Sequence, residues 1–247
     1  MIEFRDIKKA FGERRVLDGV SFEIRRGEVF FIIGTSGAGK SVLLKHVVGL
    51  LQPDAGQVLV DGVDVTKLGE RQLGPIRKKC AMVFQHSTLF DSMTCTENVA
   101  LPIAKHERVA PEVARSRAEA LLAEVGVAAF GPRLPSELGD GLQKQVAVAR
   151  ALSLRPDFIL FDEPTTSVDP VSGRRLDRLI QNLARERGVA CVVVSHDLRS
   201  IFTIADRIAM LYKGRVRILG TPAELRASED PVVRQFVEGR SEGPLET

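Results

Sequence analysis

Eight consecutive residues, Gly34-Thr35-Ser36-Gly37-Ala38-Gly39-Lys40-Ser41, read G-x-x-x-x-G-K-S, the phosphate-binding loop pattern. Glycines let backbone N–H groups close around phosphate oxygens, and a helix N-terminus behind them favours negative charge. A lysine at this place reaches β- and γ-phosphates, and the following hydroxyl ligates Mg²⁺. Two further groups fit the same chemistry. Asp162-Glu163 follows the apolar run Phe158-Ile159-Leu160-Phe161; Asp162 suits a direct or water-mediated Mg²⁺ ligand, and Glu163 is placed to orient and deprotonate an attacking water. His196 follows Val192-Val193-Val194-Ser195 and is placed to contact a γ-phosphate. Alone, an Asp-Glu-Pro is a strand-end turn and a single histidine a structural one. The phosphate loop upstream changes that balance.

These groups act together only if the fold brings them together. Val29-Phe30-Phe31-Ile32-Ile33 has the composition of a strand buried on both faces, and Val42 to Val48 reads as a first helix. Phe158–Phe161 and Val189–Val194 predict two more buried strands. In open α/β sheets ligands sit beyond the carboxyl ends of the strands, so parallel strands would deliver all three groups to one edge. Alternation predicts short strands over 2–7 and 20–24, with Lys8 to Gly12 as a loop that carries Phe11. Residues 57–60 with Asp61-Gly62 give a hairpin signal, and Cys80-Ala81-Met82-Val83-Phe84 is an apolar run ending at Gln85. Residues 86–110 show little periodicity, 111–125 read as a helix opened by Pro111, and helical spacing returns at Leu142, Val146, Ala149 and Leu152. The stretch 86–153 is therefore expected to be a helical insert. Leu176, Leu179, Ile180 and Leu183 mark an amphipathic helix over 171–187, with Gly188 as its cap. Lys213-Gly214 should turn a hairpin over 207–219, and Thr221 with Glu224 forms a capping box. The polar tail 239–247 is expected to fray.

The bulk properties set limits. The 247 residues suit one large domain or two small ones, and 44% hydrophobic with 27% charged residues is ordinary for a globular protein. A net charge of +3 demands neither nucleic acid nor a membrane surface. The beginning, Met1 to Asp6, has no signal-peptide pattern, and no apolar run approaches the ~20 residues of a membrane span, so a membrane role is expected to run through a partner. Cys80, Cys95 and Cys191 give neither a disulfide framework nor a metal spacing and read as small apolar fillers in a reducing compartment.

From about residue 2 to 240 the chain resembles the nucleotide-binding subunit of ABC transporters. The motifs occur in the family's order: Phe11 as A-loop aromatic, Gly34 to Ser41 as Walker A, Gln85 as Q-loop glutamine and Leu138 to Leu142 as signature. They continue with Phe158 to Asp162 as Walker B, then Glu163, the D-loop Ser167-Val168-Asp169 and the H-loop His196. The resemblance implies an α/β fold: a P-loop NTPase core with a mainly parallel sheet, an antiparallel β N-terminal part and a helical subdomain. It implies one domain, with a core of 1–85 and 154–238 and a helical part of about 86–153. It implies ATP and Mg²⁺, with nucleotide contacts from Phe11, Gly34, Thr35, Ser36, Gly37, Ala38, Gly39, Lys40, Ser41 and Val42. Gly139, Asp140, Gly141 and Asp169 would add contacts across a dimer. Catalysis would fall to Lys40, Gln85, Glu163 and His196, and metal ligation to Ser41, Gln85 and Asp162. The implied partners are an integral-membrane permease and a second ATPase subunit, without nucleic acid, at the cytoplasmic face of the inner membrane. The segment Gln85 to Pro102 is expected to meet the permease. More narrowly, Thr35 to His46, Gln85 to Thr94 and Val233 to Gly239 resemble the ATPases of Mla/MCE-type lipid transporters, which implies an MCE-type lipid-binding partner.

One departure stands out. Where the family usually has Leu-Ser-Gly-Gly, this chain has Leu138-Gly139-Asp140-Gly141, and Gln143 and Gln145 stand where basic residues are frequent. Gly139 removes a hydroxyl that would bond the γ-phosphate across the dimer. If Asp140 faces that phosphate, the repulsion is worth ~4 kcal/mol at 4 Å and an effective dielectric of about 20; if the loop turns it to solvent, activity is ordinary. Two rivals follow: a soluble ABC ATPase of cofactor assembly or DNA repair, and an ATP-binding regulatory module with weak turnover. The altered signature favours the second, while intact Lys40, Asp162, Glu163 and His196 oppose it.

Overall fold

A computed structural model describes residues 1–245. In chain order the elements are β1 (Ile2–Phe11), β2 (Arg14–Ile24), β3 (Val29–Gly34), α1 (Lys40–Val47), β4 (Ala55–Val60), β5 (Val63–Asp64), α2 (Leu73–Lys79) and β6 (Cys80–Val83). Then come α3 (Cys95–Glu107), α4 (Pro111–Glu124), α5 (Asp140–Leu152), β7 (Phe158–Asp162), α6 (Pro170–Arg187), β8 (Ala190–Val194), α7 (Leu198–Ile204), β9 (Arg207–Tyr212), β10 (Arg215–Gly220), α8 (Pro222–Ala227) and α9 (Pro231–Glu238).

Two sheets share the core. One is antiparallel, in the order β2-β1-β4-β5. The other runs β10-β9-β3-β8-β7-β6 and is parallel from β9 to β6, with β10 antiparallel at its edge. Strand β3 explains why two sheets are needed. All six of its residues are buried, and successive side chains of a strand point to opposite faces. Val29, Phe31 and Ile33 enter the core under the helices, while Phe30 and Ile32 enter the core shared with the antiparallel sheet. There Phe30 stacks on Phe22 at 5.4 Å, and Phe22 meets Phe4 at 4.8 Å. The three cysteines are buried, and burial pushes the Cys80 thiol up to about 12, consistent with inert filling.

The structure departs from the sequence-based expectation in several places; β2 begins at Arg14 rather than at residue 20, and α2 carried no expectation. Lys8 to Phe11 continue β1, paired with Asp18 to Arg14, and Gly12 (φ +60°) turns the hairpin. The strand reads as loop because its end is half-exposed and polar. Residues 95–107 are helical, and the capping box between Thr94 and Glu97 was the available signal. The tail is tied back as far as it is described: Tyr212 donates to the Pro244 carbonyl at 2.7 Å, and the Leu245 N–H donates to Gln235 Oε1 at 2.7 Å. Residues 246 and 247, part of the expected fraying, lie outside the described residues.

A charge cluster fixes the antiparallel sheet to the start of β7. Asp61 accepts from Arg26 at 2.7 Å and Lys79 at 2.9 Å, and Arg26 also reaches Asp157 at 2.9 Å. Burial raises the Asp61 pKa, but hydrogen bonds from the Met1 ammonium and Lys79, with the Arg26 charge, outweigh it and hold the group at about 2. A carboxyl whose folded pKa lies below its unfolded value of 3.8 stabilises the fold above that value. The contribution fades as pH falls towards the folded pKa. The gap in melting temperature between wild type and Asp61→Asn should therefore be widest near neutral pH and narrow between pH about 4 and about 2. A gap independent of pH would contradict this role.

Candidate active site

Strands β3, β8 and β7 are adjacent and parallel, so their carboxyl ends bring Gly34, His196 and Asp162-Glu163 to one edge. A cleft of about 700 Å³ opens there. Its walls include Phe11, every residue from Gly34 to Val42, Gln85, Glu163 and His196. Most of the residues named from the sequence thus lie along one cleft.

The loop geometry follows from its glycines. Gly34 has φ +142°, and a Cβ there would lie 2.4 Å from the Leu211 carbonyl oxygen, so β9 can pass directly behind the loop. Gly39, at φ +95°, precedes α1 without side-chain capping, which leaves first-turn N–H groups for a ligand. The Lys40 ammonium is buried and donates to the carbonyls of Gly34 at 2.9 Å and Thr35 at 3.0 Å. Burial pushes its pKa down, against the opposing pull of Glu163 and Asp162. Ser41 Oγ donates to Asp162 Oδ1 at 2.6 Å beneath the cleft.

Glu163 lies in the left-handed region at φ +49°, a conformation costing on the order of 1–3 kcal/mol for a residue with a Cβ. Its N–H donates to the Val194 carbonyl at 2.9 Å, continuing the sheet pairing by one residue. Oε2 is 2.8 Å from His196 Nδ1, within ion-pair range but not aligned as a hydrogen bond, and has no hydrogen-bonding partner. A largely buried carboxylate with an unused lone pair beside an exposed imidazole can accept a proton from a third group.

Five expected residues do not line this cleft: Asp162, which lies behind Ser41, and four that stand elsewhere. Asp169 caps α6 by accepting from Ser172 and Val171 N–H groups, and the Ser172 hydrogen bonds hold its carboxyl below the ordinary range. Gly139 precedes α5, Asp140 is its exposed first residue, and Gly141 packs so closely on α6 that a Cβ would lie 2.6 Å from Ser172 Cβ. The two glutamines have structural work: Gln143 donates to the Pro135 and Leu138 carbonyls, and Gln145 to Val125 at 2.7 Å. Sequence reasoning missed Arg14, Thr166 and Phe236 on the cleft wall. It also missed Lys144, which is buried and donates to the carbonyls of Phe84, at 3.1 Å, and Gln85. Arg150 adds bonds to the Ser87 and Thr88 carbonyls. Thus α5 grips the segment that carries Gln85. No local pattern marks these residues, since each matters through a contact distant in sequence.

Residues 17–166 match the ABC transporter family. The chain belongs to that family as its ATP-binding subunit, an ABC-type ATPase with the corresponding α/β fold. It is 36% identical over 245 residues to the intermembrane phospholipid transport system ATP-binding protein MlaF of Escherichia coli (strain K12), covering 99% of this chain and 91% of that one. It is 39% identical over 216 residues to the methionine import ATP-binding protein MetN of Rhizobium johnstonii, covering 87% of this chain and 59% of that one. The dimeric post-hydrolysis structure of the ATP-binding cassette MJ0796 bound to ADP and Pi superposes with a TM-score of 0.83 at 33% identity, over 90% of this chain and 99% of that one.

Proposed function

We propose that this chain powers phospholipid movement as the ATPase of an MCE-type ABC transporter, docked on a permease at the cytoplasmic face of the inner membrane. The likeness to MlaF along nearly the whole of both chains supports the substrate class. The observation that carries the reaction is the cluster at the strand ends, where Ser41 donates to Asp162 and Glu163 stands beside His196 on the cleft that Lys40 also lines. Among the described residues no helix is long and apolar enough to cross a membrane, so the permease is the membrane anchor.

Each residue then has a task. Phe11, 48% exposed at the cleft, stacks on adenine. The N–H groups of Gly34 to Val42 surround the phosphates, and Lys40 exchanges two loop carbonyls for β- and γ-phosphate oxygens. Ser41 and Asp162 offer paired oxygens that suit Mg²⁺, with Gln85 on the wall as a further ligand. When bound, Mg²⁺ neutralises charge on the phosphates. Glu163 accepts the proton of the attacking water, and His196 holds the γ-phosphate end. Gly139 to Gly141 do not line their own cleft, so their nucleotide is the one on a second copy. A two-fold head-to-tail dimer supplies it, with Asp169 of the D-loop at the same interface.

Affinity purification from detergent-solubilised membranes should recover a membrane-spanning permease and an MCE-type lipid-binding protein, and added phospholipid should raise the ATPase rate of the assembly. Recovery with soluble partners alone would sink the transport reading in favour of cofactor assembly or DNA repair.

A further inference from the structure

We propose that Arg14 of one copy pairs with Asp140 of the other, a cation and a carboxylate that close over the nucleotide between two copies of this chain. The proposal rests on the head-to-tail dimer above and names a contact that holds it shut. Among the described residues neither group has a hydrogen bond or ion pair, although its neighbours do. Arg15 pairs with Asp18 at 3.2 Å, and Glu137 accepts from the Leu134 N–H at 3.1 Å. Arg14 is exposed and stands opposite Phe11 across the β1–β2 hairpin. It lines the cleft, and a Cβ placed on Gly37 would lie 2.8 Å from its Nη2, so the guanidinium overhangs the phosphate loop. Asp140 is the exposed first residue of α5, and the residue before it faces open space: nothing lies within 4 Å of a Cβ placed on Gly139.

Charge decides what these two groups do. A carboxylate carried towards bound triphosphate is repelled unless a cation stands beside it. Arg14 is that cation, at the lip the second copy must approach. Its planar fork can serve a carboxylate on one edge and a phosphate on the other. Two-fold symmetry makes the contact twice, once over each nucleotide. The altered signature is then complemented by an arginine more than a hundred residues earlier in the chain.

A charge swap in trans tests this in the full chain carrying Glu163→Gln, with ATP and Mg²⁺. Arg14→Asp and Asp140→Arg should each weaken dimerisation about tenfold or more, as measured by analytical ultracentrifugation. In an equimolar mixture, the heterodimer has one native and one reversed pair, and dimerisation should return to within about threefold of the parent. The pair is overturned if the mixture does not recover, or if Asp140→Gly strengthens the dimer. It is also overturned if Arg14→Gln weakens ATP binding to the monomer as much as dimerisation, which would give the guanidinium to its own nucleotide. A parent that does not dimerise with ATP fails the head-to-tail reading itself and takes the pair with it. That result differs from a dimer that forms and ignores the swap.

Discussion

Lys40→Ala is expected to cut ATP turnover by about a hundredfold to a thousandfold, the scale on which removal of one preorganised electrostatic contact acts in other enzymes. The ammonium is the one cationic side chain within the loop itself, where it is held by the Gly34 and Thr35 carbonyls. Backbone N–H groups remain in the variant, so some nucleotide binding survives while charge neutralisation at the β- and γ-phosphates is lost. The fold should not suffer, because alanine is the better helix former at the start of α1 and its burial carries no charge. Phosphate release by the assembled transporter measures turnover, and the melting temperature of the free chain controls for folding. A wild-type rate would remove the phosphate-loop assignment.

Glu163→Gln should have a comparable effect by another route. The amide keeps the size of the side chain but cannot accept the water's proton, and a general base contributes about a hundredfold to ten-thousandfold. Ser41, Asp162 and Lys40 are untouched, so nucleotide binding persists. The expected result is an ATP-bound dimer that accumulates because the step that opens it is blocked. Size-exclusion chromatography with ATP and Mg²⁺ should show a shift to dimer that the wild type shows only transiently. A variant that hydrolyses ATP as wild type does excludes Glu163 as the base, leaving His196, beside it at 2.8 Å, as the next candidate.

The parts of the site legible in the sequence are those built on strands buried on both faces. β3, β7 and β8 are continuous apolar runs because helices cover one face and the second sheet or its core the other. The polar residue that ends each run then declares itself. What was illegible has the opposite character. Helix α3 buries Thr96 and Asn98 along with its apolar residues. Asn98 is buried because its amide donates to the Phe90, Met93 and Thr94 carbonyls and accepts from the Phe90 N–H, so its apolar period is diluted. The tail looked loose because Gln235 and Tyr212, which hold it, lie outside it. Gln143 and Gln145 looked like lost basic groups, whereas their amides bind carbonyls. Arg14 carries no local mark at all, and only the hairpin places it over the cleft.

The hold of α5 on the Gln85 segment also decides where the molecule can bend. A buried ammonium cannot be parted from its oxygens without leaving a charge stranded in a poor dielectric. Lys144, 2% exposed, keeps the Phe84 and Gln85 carbonyls, and Arg150 keeps those of Ser87 and Thr88. Residues 84–88 therefore travel with the helices rather than with the sheet. The backbone passes between the two parts at the end of β6, between Val83 and Phe84, and in the link from Ser153 to Asp157. A rotation about those two crossings would swing Gln85 out of the cleft it lines and tilt Asp140 at the other end of the same lever. In the proposed head-to-tail dimer each chain would thus couple what happens at one nucleotide to the fit around the other, with no separate relay between them.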